Sequence, residues 1–337
     1  MLKLAIPALV LSTGLLAQSV VVPNANATTL GTAQLNSIIR NAANPRTYQY
    51  GINASELAGV PIGSVITGVS LRFMVFASNP PSWPPADILW NTYDISVGPA
   101  TPTASWVADP MLNFSSPPQQ VRSGPMTLDA GTFQNLGVPA TPNPWSEFYF
   151  DFQNPYLYLG GDLAMLFSHP GSSDPLAPPF AEVVNANAAA HGVSFSQAVY
   201  PAGTALATNT FYVMRIHYGY GTGCAGSATT APVLVQNGNT NGGLGGNIRL
   251  TLANAAPNSI GVFALGFSQL NVPLGGGCTA LVSPDLLFLA ITNSKGRATL
   301  DIPIPPAVLG SFFAQGAMLD NSPLGLALTN GVSPAAN

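Results

Sequence analysis

The sequence predicts an all-β protein built from two sandwich domains, and three observations carry that prediction. Apolar residues make up 47% of the chain while Gly (34) and Pro (32) are both in excess, which favours many short strands joined by tight turns over helices. Apolar runs recur roughly every ten residues, alternate with period two, and are separated by Gly, Asn or Pro, as in a sandwich. Charge divides the chain near residue 220: residues 20–220 hold five arginines and ten carboxylates, whereas 221–337 balance three cations against three anions. We therefore expect a leader over 1–19, a jelly-roll-like sandwich over 20–220, and an immunoglobulin-like sandwich with a disulfide over 221–337.

The first nineteen residues, MLKLAIPALVLSTGLLAQS, have the parts of a secretory signal. Lys3 supplies the basic start and residues 4–17 the apolar stretch, which is short for a membrane span. Small-x-small cleavage patterns stand at Ala17-Gln18-Ser19 and Ala25-Asn26-Ala27. In the first block the strand candidates are SVITGVSLRFMVF (64–76), TYDISVG (92–98), GPMTLD (124–129), EFYFDF (147–152), DLAMLFSH (162–169) and TFYVMRIHY (210–218). The segment FAEVVNANAAAHG (180–192) lacks a sustained 3.6-residue stripe and reads as loop or one short helix. The second block offers eight candidates: PVLVQ (232–236), NIRLTLAN (247–254), SIGVFALGFS (259–268), CTALVS (278–283), LLFLAIT (286–292), GRATLDIPI (296–304), SFFAQGAMLD (311–320) and LGLALTN (324–330).

Composition also excludes. Net charge is −4 with no basic run, so the electrostatic footprint of a nucleic-acid binder is absent. No later apolar run escapes interruption by Gly, Pro or Asn, so no membrane span is expected after the leader. Export makes the two cysteines, Cys224 and Cys278, a disulfide pair; the alternative is two free thiols. No His–Cys cluster suggests a metal site, and no cofactor is expected.

Gly221-Thr222-Gly223-Cys224-Ala225-Gly226 spells G-x-G-x-x-G. A dinucleotide site needs a helix after that turn and an acid about 20 residues on, and both are missing. The glycines read better as a hinge between the sandwiches. No G-x-S-x-G or H-E-x-x-H motif occurs. The alternation of 211–217 puts Arg215 and His217 on one face, solvent-facing or interdomain. Glu147 and Asp151, spaced i and i+4, share a face with Tyr149 between them. That face reads as polar and outward over a buried Phe148, Phe150 and Phe152, or else as a surface for sugar or Ca²⁺. Asp87, Asp94, Asp162 and Asp174 could supply oxygen ligands, without a D-x-D-x-D-G loop. The aromatics give the clearest binding hint. Trp83 and Trp90 flank PPADIL with Tyr93 nearby, a candidate platform for stacking on sugar rings; Trp106 and Trp145 stand in other Pro-rich stretches. The bland alternative is that these tryptophans cap the sandwich core.

The stretches VVVPNANATTLGTAQLNS, RTYQYGINASELAGVPIGSVITGVSLRF and YLGGDLAMLF resemble the first domain of secreted proteins common in Planctomycetes and some other Gram-negative bacteria. YGTGCAGSATTAPVL, LTLANAAPNSIGVFALGFS, VPLGGGCTALVSP and SPLGLALTNGV resemble their C-terminal module, which begins at Gly-Thr-Gly-Cys and carries a second Cys in Gly-Gly-Gly-Cys. The resemblance implies an exported, non-enzymatic β protein. We read the chain as a structural or adhesive component at the cell surface or outside the cell, with surface glycans or other envelope proteins as partners. A glycan-binding module is the alternative, and an extracellular hydrolase the third reading.

Overall fold

The stretch V-I-T-G-V-S-L alternates apolar and small polar residues, the pattern of a strand with one wet face. In the computed structural model this strand, Val65–Leu71 (β3), is buried along its whole length. Two features explain the difference. A bulge inserts Thr67 between Ile66 and Gly68 against the neighbouring strand, so Ile66 joins Val69 and Leu71 in the core. The other face is covered by the second half of the chain. The structure describes residues 18–35, 45–75, 80–138, 141–146, 149–172, 181–184, 192–197, 205–207, 211–240, 246–305 and 310–336. Most of the predicted leader lies outside them.

The first block is a jelly roll. Its further strands are β1 (Ser19–Val22), β2 (Arg46–Ile52), β4 (Asp94–Pro99), β5 (Gln119–Arg122), β6 (Tyr149–Leu157), β7 (Leu163–His169), β8 (Gly192–Gln197), β9 (Ala205–Ala207) and β10 (Met214–Gly219). One sheet has the order β1-β10-β3-β6, the other β9-β8-β2-β7-β4-β5. The chain passes back and forth between them, so neighbours within a sheet are seldom neighbours in sequence. The space between fills with aromatics. Tyr50 meets Phe167 and Tyr212 edge-on with ring centroids 5.7 and 5.0 Å apart, and Phe150 meets Phe167 at 5.5 Å. The described part of 180–192 departs from expectation: Ala181–Val184 is a strand between Ala33–Leu35 and Phe211–Tyr212.

The second block is a smaller sandwich. Its strands are β11 (Val233–Thr240), β12 (Gly246–Ala253), β13 (Ile260–Gly266), β14 (Gln269–Gly275), β15 (Cys278–Val282), β16 (Leu286–Ile291), β17 (Ala298–Ile304), β18 (Phe313–Leu319) and β19 (Leu326–Val332). β11-β12-β17 packs on β16-β13-β18-β19 around Leu234, Ile248, Leu250, Leu252, Phe263 and Met318. This is an immunoglobulin-type arrangement with the fourth strand moved to the second sheet. A hairpin, β14–β15, is inserted between the third and fourth strands. Its first strand contains Pro273, which a sheet tolerates at an unpaired edge.

The two blocks meet on polar ground. β11 lies against β10, β3 and β6, covering the face that carries Ser70, Asp151, Arg215 and His217. Among the described residues no helix is long and apolar enough to cross a membrane.

Candidate functional site

The predicted aromatic platform is not a surface. Trp83, Trp90 and Tyr93 are each 3% exposed or less. The loop that carries them folds back through two-residue and three-residue ladders, Ser82–Trp83 on Phe133–Gln134 and Ile88–Trp90 on Met126–Leu128. These ladders turn the indoles inward. Trp83 packs on Phe73 and Phe133, while Trp90 and Tyr93 enclose His169. They are core residues, as their apolar area favours.

Cys224 and Cys278 form a disulfide, with Cα atoms 5.0 Å apart. The bond ties the glycine stretch to the β14–β15 hairpin over Leu328. The stretch is a strap rather than a free hinge. Tyr220 bridges to Gly331 and Cys224 to Leu328. A Cβ at Gly223 would collide with the Leu328 carbonyl oxygen, and one at Gly226, where φ is +61°, with the Asp320 carboxylate. That carboxylate instead accepts from the Ser227 main chain and hydroxyl, both at 2.7 Å. The glycines therefore permit close approach of β19 and its turn, which is why they match a phosphate-binding pattern without its chemistry.

Of the histidines, His191 lies outside the described residues. His217 is interdomain, with its ring 2.6 Å from the Ser70 hydroxyl. A Ser–His pair invites a nucleophilic reading, but both residues are sealed, at 1% and 0% exposure. Burial, helped by the Arg215 charge, pushes His217 down to about 3, so the ring is neutral and serves as a structural hydrogen-bonding group. His169 falls to about 4 for the same reason, with Arg46 adding to it.

Glu147 is outside the described residues, and Asp151 does not face solvent. Asp151 is 3% exposed, with Arg122 at 2.9 Å on one oxygen and Arg297 at 3.3 Å on the other. Burial alone would raise its pKa, but the two guanidinium groups outweigh it and hold the carboxyl below the ordinary range. Such a group is a poor proton donor. The oxygen-ligand candidates are scattered. Asp87 accepts from the Ala130 main chain and Lys295, Asp94 from Ser123, and Asp162 from the Ala54 main chain; Asp174 is outside the described residues. Among the described residues no three His, Cys, Asp or Glu side chains are grouped to hold a metal.

The interblock seam is the site that the sequence reading missed. Lys295 reaches across to Asp87 at 2.9 Å and to Asp129, and its hydrogen bonds to both outweigh burial to raise its pKa. Arg297 reaches across to Asp151. Beside these contacts a groove of about 460 Å³ runs between the blocks. One wall is Asp129, Thr132, Gln134 and Trp145, and the other Thr251, Asn293, Arg297 and Thr299. Arg297 also borders a second cavity of about 240 Å³ next to Arg122 and Asp151. Trp145 is held by Arg72 and Arg215, whose guanidinium carbons lie 4.9 and 4.7 Å from its ring. The groove offers hydroxyl, amide and guanidinium groups suited to a neutral, hydroxyl-bearing ligand. One sequence signal pointed here: Lys295-Gly296-Arg297 places two cations within three residues in a chain with only nine.

No family model matches the chain, and no curated protein matches it.

Proposed function

We propose that the chain is an exported, non-enzymatic structural or adhesive protein. The observation that carries this reading is how its scarce charge is placed. Two of the three cations in 221–337, Lys295 and Arg297, hold carboxylates of the first block, and a disulfide fastens the segment that leads into the second block to its hairpin. The polar groups are engaged in cohesion rather than poised for chemistry. The disulfide fits an oxidising compartment. The position of β1 bears on the leader: cleavage after Ala27 would remove β1 and the Asn26 and Ala27 carbonyls that bind Arg72, so cleavage near Ser19 suits the fold better. N-terminal sequencing of the protein recovered from producing cells, with protease accessibility on intact cells, tests the reading. An uncleaved chain retained inside the cell with reduced cysteines would sink it.

The interblock groove favours a second reading, a module that binds glycan between the two blocks, because its walls are hydroxyl and amide groups around Arg297. A glycan array comparing the wild type with Gln134→Ala and Thr299→Val addresses it. Binding by neither wild type nor variants removes it.

A further inference from the structure

Strand β16 forms one edge of its four-stranded sheet and, among the described residues, pairs only with β13. Its sequence, Leu-Leu-Phe-Leu-Ala-Ile, has no polar side chain. Leu286, Leu287, Leu289 and Ile291 are 52–68% exposed, and Phe288 is 38% exposed. Proteins ordinarily guard such an edge with a lysine, a proline or a bulge. The edge strand β17 of the opposite sheet is guarded, by Pro303 and by Asp301 paired to Arg249 at 2.6 Å. β16 is not. On the outer face, Leu287, Leu289 and Ile291 stand beside Ala264, Val262 and Ile260 of β13 in an uncharged field. On the core side, Leu286 and Phe288 stand beside Leu265 and Phe263, which are buried. They remain half-open because the sheet stops one strand short.

We propose that β16 is a self-association edge, across which two copies of this chain join as antiparallel strands. The occupant must be a strand with apolar residues on both faces and an unused ladder of main-chain groups, and a polar or alternating strand would set polar groups against leucine. The chain itself presents such a strand. In antiparallel pairing, opposed residues share a face, so a two-fold axis perpendicular to the sheet must fall midway between the two copies of one residue. Centred on Leu289, it sets Leu287 against Ile291 outside and the large Phe288 against the small Ala290 inside. Asp285 then meets Asn293, so no like charges oppose. Such pairing joins two four-stranded sheets into one of eight strands and lets each copy's exposed β16 side chains flank the other's, the strand-addition mode of recognition. This inference stands apart from export or adhesion and holds or fails without them.

Sedimentation velocity of the full, disulfide-intact chain across the micromolar range tests it. The wild type is expected to be a dimer and Leu289→Lys, which sets two ammonium groups at the axis, a monomer with an unchanged near-UV spectrum. Should the lysine variant misfold, Leu289→Cys decides: it is expected to give a covalent dimer on a non-reducing gel, whereas Leu274→Cys, on the hairpin, does not. A wild type monomeric throughout overturns the proposal, as does a dimer that both variants leave unaltered. A monomer that binds neutral lipid vesicles, and loses that binding in Leu289→Lys, would assign the face to a membrane instead.

Discussion

His169 and His217 are neutral at physiological pH because their surroundings cannot solvate a charge, and this gives the fold an acid limb. Their folded pKa values, about 4 and about 3, lie below the unfolded value near 6.5. Between those values the unfolded chain binds more protons, so stability is full above about pH 6.5 and falls as pH drops toward 4. Each histidine contributes roughly 3 kcal/mol to that loss. Urea midpoints measured from pH 7 to pH 4 should show it, and His169→Phe, which keeps the ring among Trp90 and Tyr93, should flatten the slope. A parallel slope in the variant would contradict the assignment. The tryptophans make a second case. Trp90 is fully buried, so Trp90→Ala should cost roughly 3–5 kcal/mol as a core deletion, read as a lower denaturation midpoint. A variant of unchanged stability would return Trp90 to the surface. Residue type alone did not reveal this. A tryptophan beside prolines has the same letters whether its loop opens to solvent or folds back through a two-residue ladder, and only the pairing with Phe133 and Met126 decides.

At the scale of elements, period and turn residues were the informative signals. All eight strand candidates of the second block are strands, because an alternating or continuous apolar run bounded by turn formers suits a strand whether its face is buried, as in β12, or open, as in β16. The missing element was β14, whose Pro273 and trailing glycines argue against a strand interior; it exists as the outer arm of a hairpin, where proline is tolerated. The outward face expected for Asp151 and left open for His217 was obscured for another reason. Alternation reports which residues share a face and not what covers it, and here the cover is β11. The glycine strap carries the element-scale prediction. At Gly223 a methyl group would press on the carbonyl oxygens of both Leu328 and Pro232, main-chain atoms that cannot swing aside. Gly223→Ala should therefore lower stability by at least about 2 kcal/mol. Reducing Cys224–Cys278 should cost about 4 kcal/mol for its 54-residue separation. Calorimetry with and without reductant measures both. If reduction left the second block's transition in place, the strap would not be what secures the hairpin, and Gln315, bonded to Leu281 and Thr279, would hold it together with Tyr220.

For the whole molecule, the shift in charge near residue 220 marks where one hydrophobic cluster gives way to another: the larger draws on residues 22–218 and the smaller on 234–332. What the shift hides is that two of the second block's three cations, Lys295 and Arg297, are directed at the first. The seam contains two kinds of ion pair, and their burial separates their worth. Lys295 and its aspartates are 35–52% exposed, a setting in which water screens the pair and its net contribution is about 0–1 kcal/mol. The side chains of Arg122 and Asp151 are only 7% and 5% exposed. Removing Arg122 leaves a buried carboxylate with Arg297 alone, which should cost roughly 3 kcal/mol or more. Arg122→Met is thus expected to lower the melting temperature strongly and Lys295→Met barely. The two should differ in pH response as well. Asp151 has a depressed folded pKa, so its contribution is present above the ordinary carboxylate range and is lost as pH falls through the folded value. Arg122→Met removes most of that term, and its stability deficit relative to wild type should shrink as the pH is taken below about 4. A deficit that stays constant down to the acid transition would mean that Arg122 acts through its packing and its bond to the Pro125 carbonyl, and that its ion pair with Asp151 adds little.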